Sequence, residues 1–220
     1  MRTIVLMLVL LSIFIISVFL GGLTPSDFRD SLYNSFQEKA REILGGNGSP
    51  RDLREMLTLP LKIFVNNMIV SLIIYALSPT IVGSTLFYLY QGFMTGAIMS
   101  APSLDRDMVS NIESVFKSCS ITQSDLVIIK ISFLLPHGIF EIPGITSSLI
   151  ASLILSKLIV DLIRKRISKP DLVIDLRKRL FESLKYLLYT VVLLLVAAFV
   201  EAFITPLIGG LVIGLICFLK

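Results

Sequence analysis

Between Leu126 and Val160 lie thirty-five residues of nearly unbroken apolar sequence, and in their middle stands LLPHGIFEIPGI, Leu134 to Ile145. No other stretch constrains the fold as much. As one helix it would run about 52 Å at 1.5 Å per residue, against a hydrocarbon core about 30 Å thick. The motif holds the only histidine, His137, and a carboxylate four residues on, Glu141. Pro136, Gly138, Pro143 and Gly144 frame them as candidate helix breakers. Ionisable groups at membrane depth are costly and mark functional sites. Helix breakers persist there only where protein or trapped water satisfies the freed backbone. The run is therefore expected to form a half-helix from Leu126 to Leu135, a non-helical or kinked turn at the motif, and a true crossing from about Ile145 to Ile163.

Composition sets the class. Hydrophobic residues make up 55% of the 220-residue chain and mean hydropathy is +0.86, which excludes an ordinary soluble domain. The apolar runs are long and continuous, unlike the short alternating segments of an outer-membrane barrel. The expectation is an all-α, polytopic helical membrane protein with about six membrane segments plus the broken, re-entrant half-helix. Residues 1–220 are read as one integral membrane domain. Within it, 1–23 form the first span, 24–57 an external amphipathic region and 58–220 the core. The net charge of +4 comes mainly from one loop, so it bears on orientation and not on nucleic acid. Cys119 and Cys217 suggest neither a disulfide framework nor a metal-binding pair. Ile4 to Leu20 is longer than a usual signal core and lacks an A-x-A cleavage pattern, so it reads as an uncleaved span.

In chain order, Phe28, Leu32, Phe36, Ala40 and Ile43 share one helix face, read as packing on the rest of the protein, with an interfacial or partner-binding helix as the alternative. Span two, about Leu59 to Leu77, carries adjacent amides, Asn66 and Asn67. Span three, about Thr80 to Ser100, carries Gly92 and Gly96 at the spacing that lets two helices approach closely. Ala101 to Ser124 is polar, with a short amphipathic helix around Met108, Ile112, Val115 and Phe116. Ser168 to Asp171 reads as a cap for the helix that becomes span five, about Tyr186 to Ile204. Glu201 lies near its end, and the short run Leu207 to Leu219 is a thin span or re-entrant piece. Lysine and arginine concentrate between residues 161 and 185, which puts that loop and the N-terminus in the cytoplasm and Ala101 to Asp125 outside.

Helix rise places the intramembrane polar residues at similar depth. Asn66 and Asn67 lie about 11 Å below the outer surface, His137 about 17 Å below it, and Glu201 about 23 Å above the inner surface. A shared cluster of Asn66, Asn67, His137, Glu141 and Glu201 is thus geometrically allowed. It has three readings: a structural network that fixes span packing, a transport or proton pathway, and a metal or hydrolytic site. His137, Glu141 and Glu201 are the candidate metal ligands. One histidine and two carboxylates make a sparse set, however, so no metal, cofactor or catalytic residue is assigned.

LPHGIFEIPGI closely resembles the signature of the stage II sporulation protein M family. The paired Asn66-Asn67, the stretch Tyr90 to Gly96 and EAFITP, Glu201 to Pro206, resemble its other landmarks in the same order. The resemblance runs from about Leu57 to the C-terminus. It implies a multi-pass protein of the cytoplasmic membrane. In spore formers the namesake works with cell-wall-degrading partners during engulfment and is regarded as a scaffold, not the hydrolase. Members in organisms without that wall show that the job does not follow from the name. The function expected here is a non-enzymatic membrane scaffold or organising subunit of an envelope assembly. Its partners would be the lipid bilayer, other membrane or envelope proteins and further copies of itself. A small permease and an intramembrane metallohydrolase are the alternatives.

Overall fold

The computed structural model describes residues 2–44, 53–101, 119, 121–167 and 173–220. The amphipathic helix expected around Met108 to Phe116 and the cap expected at Ser168 to Asp171 fall outside them. The described residues are all-α: α1 Arg2–Gly22, α2 Ser26–Leu44, α3 Leu53–Ala76, α4 Ile81–Ser100, α5 Gln123–Ile167 and α6 Leu176–Phe199. A π-helical turn, Val200–Ile204, then leads into α7, Thr205–Phe218. Four helical stretches are long and apolar enough to cross a membrane: Ile4–Gly22, Leu57–Ala76, Ser124–Ile167 and Leu176–Phe218. α4 is as long as a span but is diluted by glycine, serine, threonine and glutamine.

The central motif differs from expectation. α5 is helical for 45 residues, straight through Pro136, Gly138, Pro143 and Gly144, with no non-helical turn. A proline removes one backbone donor and crowds the preceding turn, and in a membrane helix neighbouring groups can compensate. The carbonyls that lose their helical donor are those of Ser132 and Ile139, four residues before each proline. Thr146 Oγ1 and Ser147 Oγ instead add second donors just beyond, to the Ile142 carbonyl at 2.7 Å and the Pro143 carbonyl at 2.8 Å. Gly144 is a contact point: a Cβ there would meet Leu194 Cδ2 at 3.0 Å. At 1.5 Å per residue, α5 has a contour of about 67 Å, more than twice the hydrocarbon thickness. Its partner has matching length, because α6, the π turn and α7 form one helical stretch of 43 residues.

α5 is the central post, and hydroxyls fasten its neighbours to it. Ser84 and Ser152 hydroxyls bond at 2.7 Å between α4 and α5. Tyr88 Oη lies 2.8 Å from Thr146 Oγ1 and donates to the Leu10 carbonyl of α1 at 3.2 Å. Ser148 Oγ donates to the Ser71 carbonyl of α3 at 2.6 Å, and Ser156 Oγ to the Ser78 carbonyl. From α6, Ser183 Oγ reaches the Ala151 carbonyl at 2.9 Å and Thr190 Oγ1 the Gly144 carbonyl at 3.0 Å. The order of these contacts makes α3 parallel to α5, and α4 and α6 antiparallel to it. Leu10, Phe14, Ile74, Tyr88, Ile145, Leu149, Ile150 and Leu194 fill the space between them.

α1 lies along α4 where Gly92 and Gly96 leave room. A Cβ on Gly92 would sit 3.0 Å from the Phe14 carbonyl oxygen, and one on Gly96 would sit 1.7 Å from that of Val18. α2 folds back on the same pair: Phe28 meets Phe93 with ring centroids 6.4 Å apart, and Arg29 donates to the Gly22 carbonyl at 3.1 Å.

The cysteines require a correction. Cys119 and Cys217 form a disulfide with Cα atoms 4.9 Å apart, tying the segment before α5 to the end of α7 across 98 residues of sequence. Sequence spacing carried no hint of it, because antiparallel pairing of two very long helices is what brings these positions together. Lys220 pairs with Asp125 at the same end. Asp125 also accepts from the Thr122 backbone N–H at 2.7 Å, capping the start of α5.

Candidate intramembrane polar site

His137 and Glu141 are four residues apart on α5, so both face the same side of the helix. His137 Nε2 lies 3.7 Å from Glu141 Oε2. The third member comes from the opposing stretch. Glu201 lies in the π turn, and a ligand atom from each of His137, Glu141 and Glu201 falls within 4.8 Å of the others. All three are partly buried.

The π turn is the local reason Glu201 reaches the site. The Thr205 backbone N–H bonds the Val200 carbonyl, five residues back instead of four. Such a bulge adds a residue to one turn and shifts the helix register; these turns occur frequently at functional sites. Here Glu201 and Thr205 both face α5. Thr205 Oγ1 lies 3.4 Å from His137 Nδ1. With Nδ1 beside the hydroxyl, Nε2 is turned toward Glu141. Gly209, one turn beyond Thr205, gives Phe133 its seat: a Cβ there would overlap the ring at 2.2 Å.

Asn66 and Asn67 are on α3, which packs against the π turn as well as against α5. The Asn66 amide donates to Asn67 Oδ1 at 3.4 Å. Gly92 and Gly96 stand apart from the polar site, in the α1–α4 contact. Among Pro136, Gly138, Pro143 and Gly144, Gly144 packs tightly on Leu194, while nothing approaches the Cβ position of Gly138 closer than 3.9 Å.

Sequence reasoning passed over the hydroxyls of α5. Thr146, Ser147, Ser148, Ser152 and Ser156 are buried. Gly144, Ser148, Ser152 and Ser156 recur every fourth residue, which is the small-residue spacing of close membrane-helix contacts. That signal was present in the sequence, between Gly144 and Ser156, where no proline or charge draws notice. Thr205, lacking any charge, was likewise absorbed into EAFITP.

Long apolar helices, a hydroxyl-laced interior and an ionisable triad between two of them are those of a multi-pass helical membrane protein. Residues 5–206 match the model of the family described as Stage II sporulation protein M, and the chain belongs to that family. The match takes in α1 and α2, well before the point at which the motifs begin, and ends at the start of α7. No curated protein and no solved structure matches the chain.

Proposed function

We propose that this protein is a non-enzymatic membrane scaffold that organises partners of a cell-envelope assembly. The observation carrying this reading is the interior. Tyr88, Ile74, Leu149, Ile150 and Leu194 are fully buried at the centre of the helices. Hydroxyl–carbonyl bonds lock the same helices together at the Ser71, Gly144 and Ala151 carbonyls. Secondary transporters need helix groups that part around a site at the membrane midplane, and hydroxyl bonds cross this interior from Gly144 to Ser156 of α5.

Two independent features support an orientation with the basic loop inside. The basic segment near residues 164–179 belongs in the cytoplasm by the positive-inside rule, together with the N-terminus. The disulfide lies at the opposite end of the long helix pair, and disulfides persist in oxidising compartments outside the cytoplasm. The long pair does not fit upright within one bilayer thickness. Pro136 and Pro143 on one helix and the π turn on the other stand at one level. They allow the outer part of α5 with α7 to bend together as a re-entrant hairpin.

Two surfaces suit partners. The inner end has an open concavity of about 470 Å³ lined by Lys157, Asp161, Asp175, Lys178, Arg179 and Glu182. On α7, Gly210 and Gly214 have open space where a Cβ would stand, a small-residue face suited to a helix of a second copy.

Reconstitution of the full chain into sealed vesicles tests the reading. The expected result is no proton or ion flux above empty vesicles. In gentle detergent extracts of native membranes, the chain should co-migrate with a defined envelope partner. Flux abolished by Glu141→Gln would overturn the scaffold in favour of the permease.

A further inference from the structure

The geometry points to a divalent transition-metal site formed by His137 Nε2, Glu141 and Glu201, with zinc the ion best suited to an imidazole and two carboxylates. Three kinds of observation bring the ligands together. They come from two antiparallel helices and still converge within 4.8 Å. Around a tetrahedral zinc with bonds near 2.0–2.1 Å, ligand atoms stand about 3.3 Å apart. The His137–Glu141 separation is 3.7 Å and no pair in the set exceeds 4.8 Å, so the ligand atoms would have to close by up to about 1.5 Å to reach that spacing. The imidazole is also oriented as a ligand requires. Metal-bound histidine is normally held at its other nitrogen by an outer partner, and Thr205 Oγ1 stands 3.4 Å from Nδ1.

Charge supplies the third argument. Ionised as ligands, the two carboxylates with a neutral imidazole would carry a formal charge of about −2, which a single dication cancels. Among the described residues the one ion pair made by either glutamate is with His137. An uncompensated pair of acids at membrane depth is strongly unfavourable. The ion would join α5 to the π turn as a structural clip, leaving a fourth position for water or a partner's ligand. This inference does not depend on the scaffold reading, and either can fail without the other.

The test uses the full chain purified in detergent, stripped with chelator and dialysed against Zn²⁺ or Co²⁺. Metal content should reach about one ion per chain, and zinc should raise the melting temperature. Cobalt should give the visible absorption bands of a tetrahedral site with nitrogen and oxygen ligands. Glu201→Gln and His137→Gln should each weaken binding by more than about a hundredfold, the upper range for loss of a mere outer-shell partner. Ser84→Ala, far from the site, should retain the metal. Folded wild-type protein that takes up less than a tenth of an equivalent overturns the site and leaves an acid pair that shares protons. Uptake unchanged in both Glu201→Gln and His137→Gln overturns it equally.

Discussion

At the scale of single residues, the interior is governed by whether each buried hydroxyl has somewhere to donate. Ser148 and Ser156 reach carbonyls of α3 and the turn after it, and Thr190 reaches Gly144. Ser71 is the exception: its hydroxyl is fully buried and has no hydrogen-bond partner among the described residues, although its carbonyl accepts from Ser148. A buried unsatisfied polar group costs about 1–3 kcal/mol, while its removal leaves the backbone bond in place. Ser71→Ala is therefore expected to leave thermal stability in detergent unchanged or raise it, as measured by melting temperature. A drop of several degrees would mean that this hydroxyl has a partner after all. The site residues show the same contrast. His137 and Glu141 were legible from sequence because a charge in an apolar run stands out. Thr205 was not, since a threonine there satisfies itself on its own helix as easily as it orients a neighbour.

At the scale of elements, glycine position separates contact from ornament. Gly96 lies where the Val18 backbone passes, and an added Cβ would sit 1.7 Å from its carbonyl oxygen. Backbone cannot yield as a flexible side chain can, and overpacking typically costs 1–3 kcal/mol and more when helices must separate. Gly96→Ala should loosen α1 from α4, read as a lower melting temperature and faster proteolysis after α1. Gly138→Ala, with its nearest neighbour at 3.9 Å, should behave as wild type in the same assays. Equal effects of the two substitutions would contradict this packing. The prolines of α5 teach the complementary lesson. Sequence reasoning treats Pro136 and Pro143 as stops because isolated helices break at proline. In the folded chain Thr205 and Gly209 of α7 pack on one side of that stretch, at His137 and Phe133, and continuing the helix is the least costly way to keep the remaining backbone groups bonded.

At the scale of the whole molecule, two very long antiparallel stretches decide the arrangement, and the disulfide clamps their far end. Closing a loop of roughly 100 residues contributes about 4–5 kcal/mol by the chain-entropy account. With the proposed topology, a membrane-impermeant reductant applied to intact cells should open Cys119–Cys217. An impermeant maleimide should then label both thiols, and the reduced protein should melt at lower temperature. Labelling only after the membrane is permeabilised would invert the orientation.

The sequence by itself determined the class, the family motifs and the polar residues of the site. Long apolar runs admit only a helical membrane protein, and ionisable groups within them are too costly to be incidental. Tertiary structure alone decided that α5 continues through its prolines, that the π turn brings Glu201 to His137 and Glu141, and that Cys119 meets Cys217. Each of these depends on how two helices are set against each other in register. That register is fixed by contacts between residues from 18 to 98 positions apart, a separation that no local pattern of residues encodes.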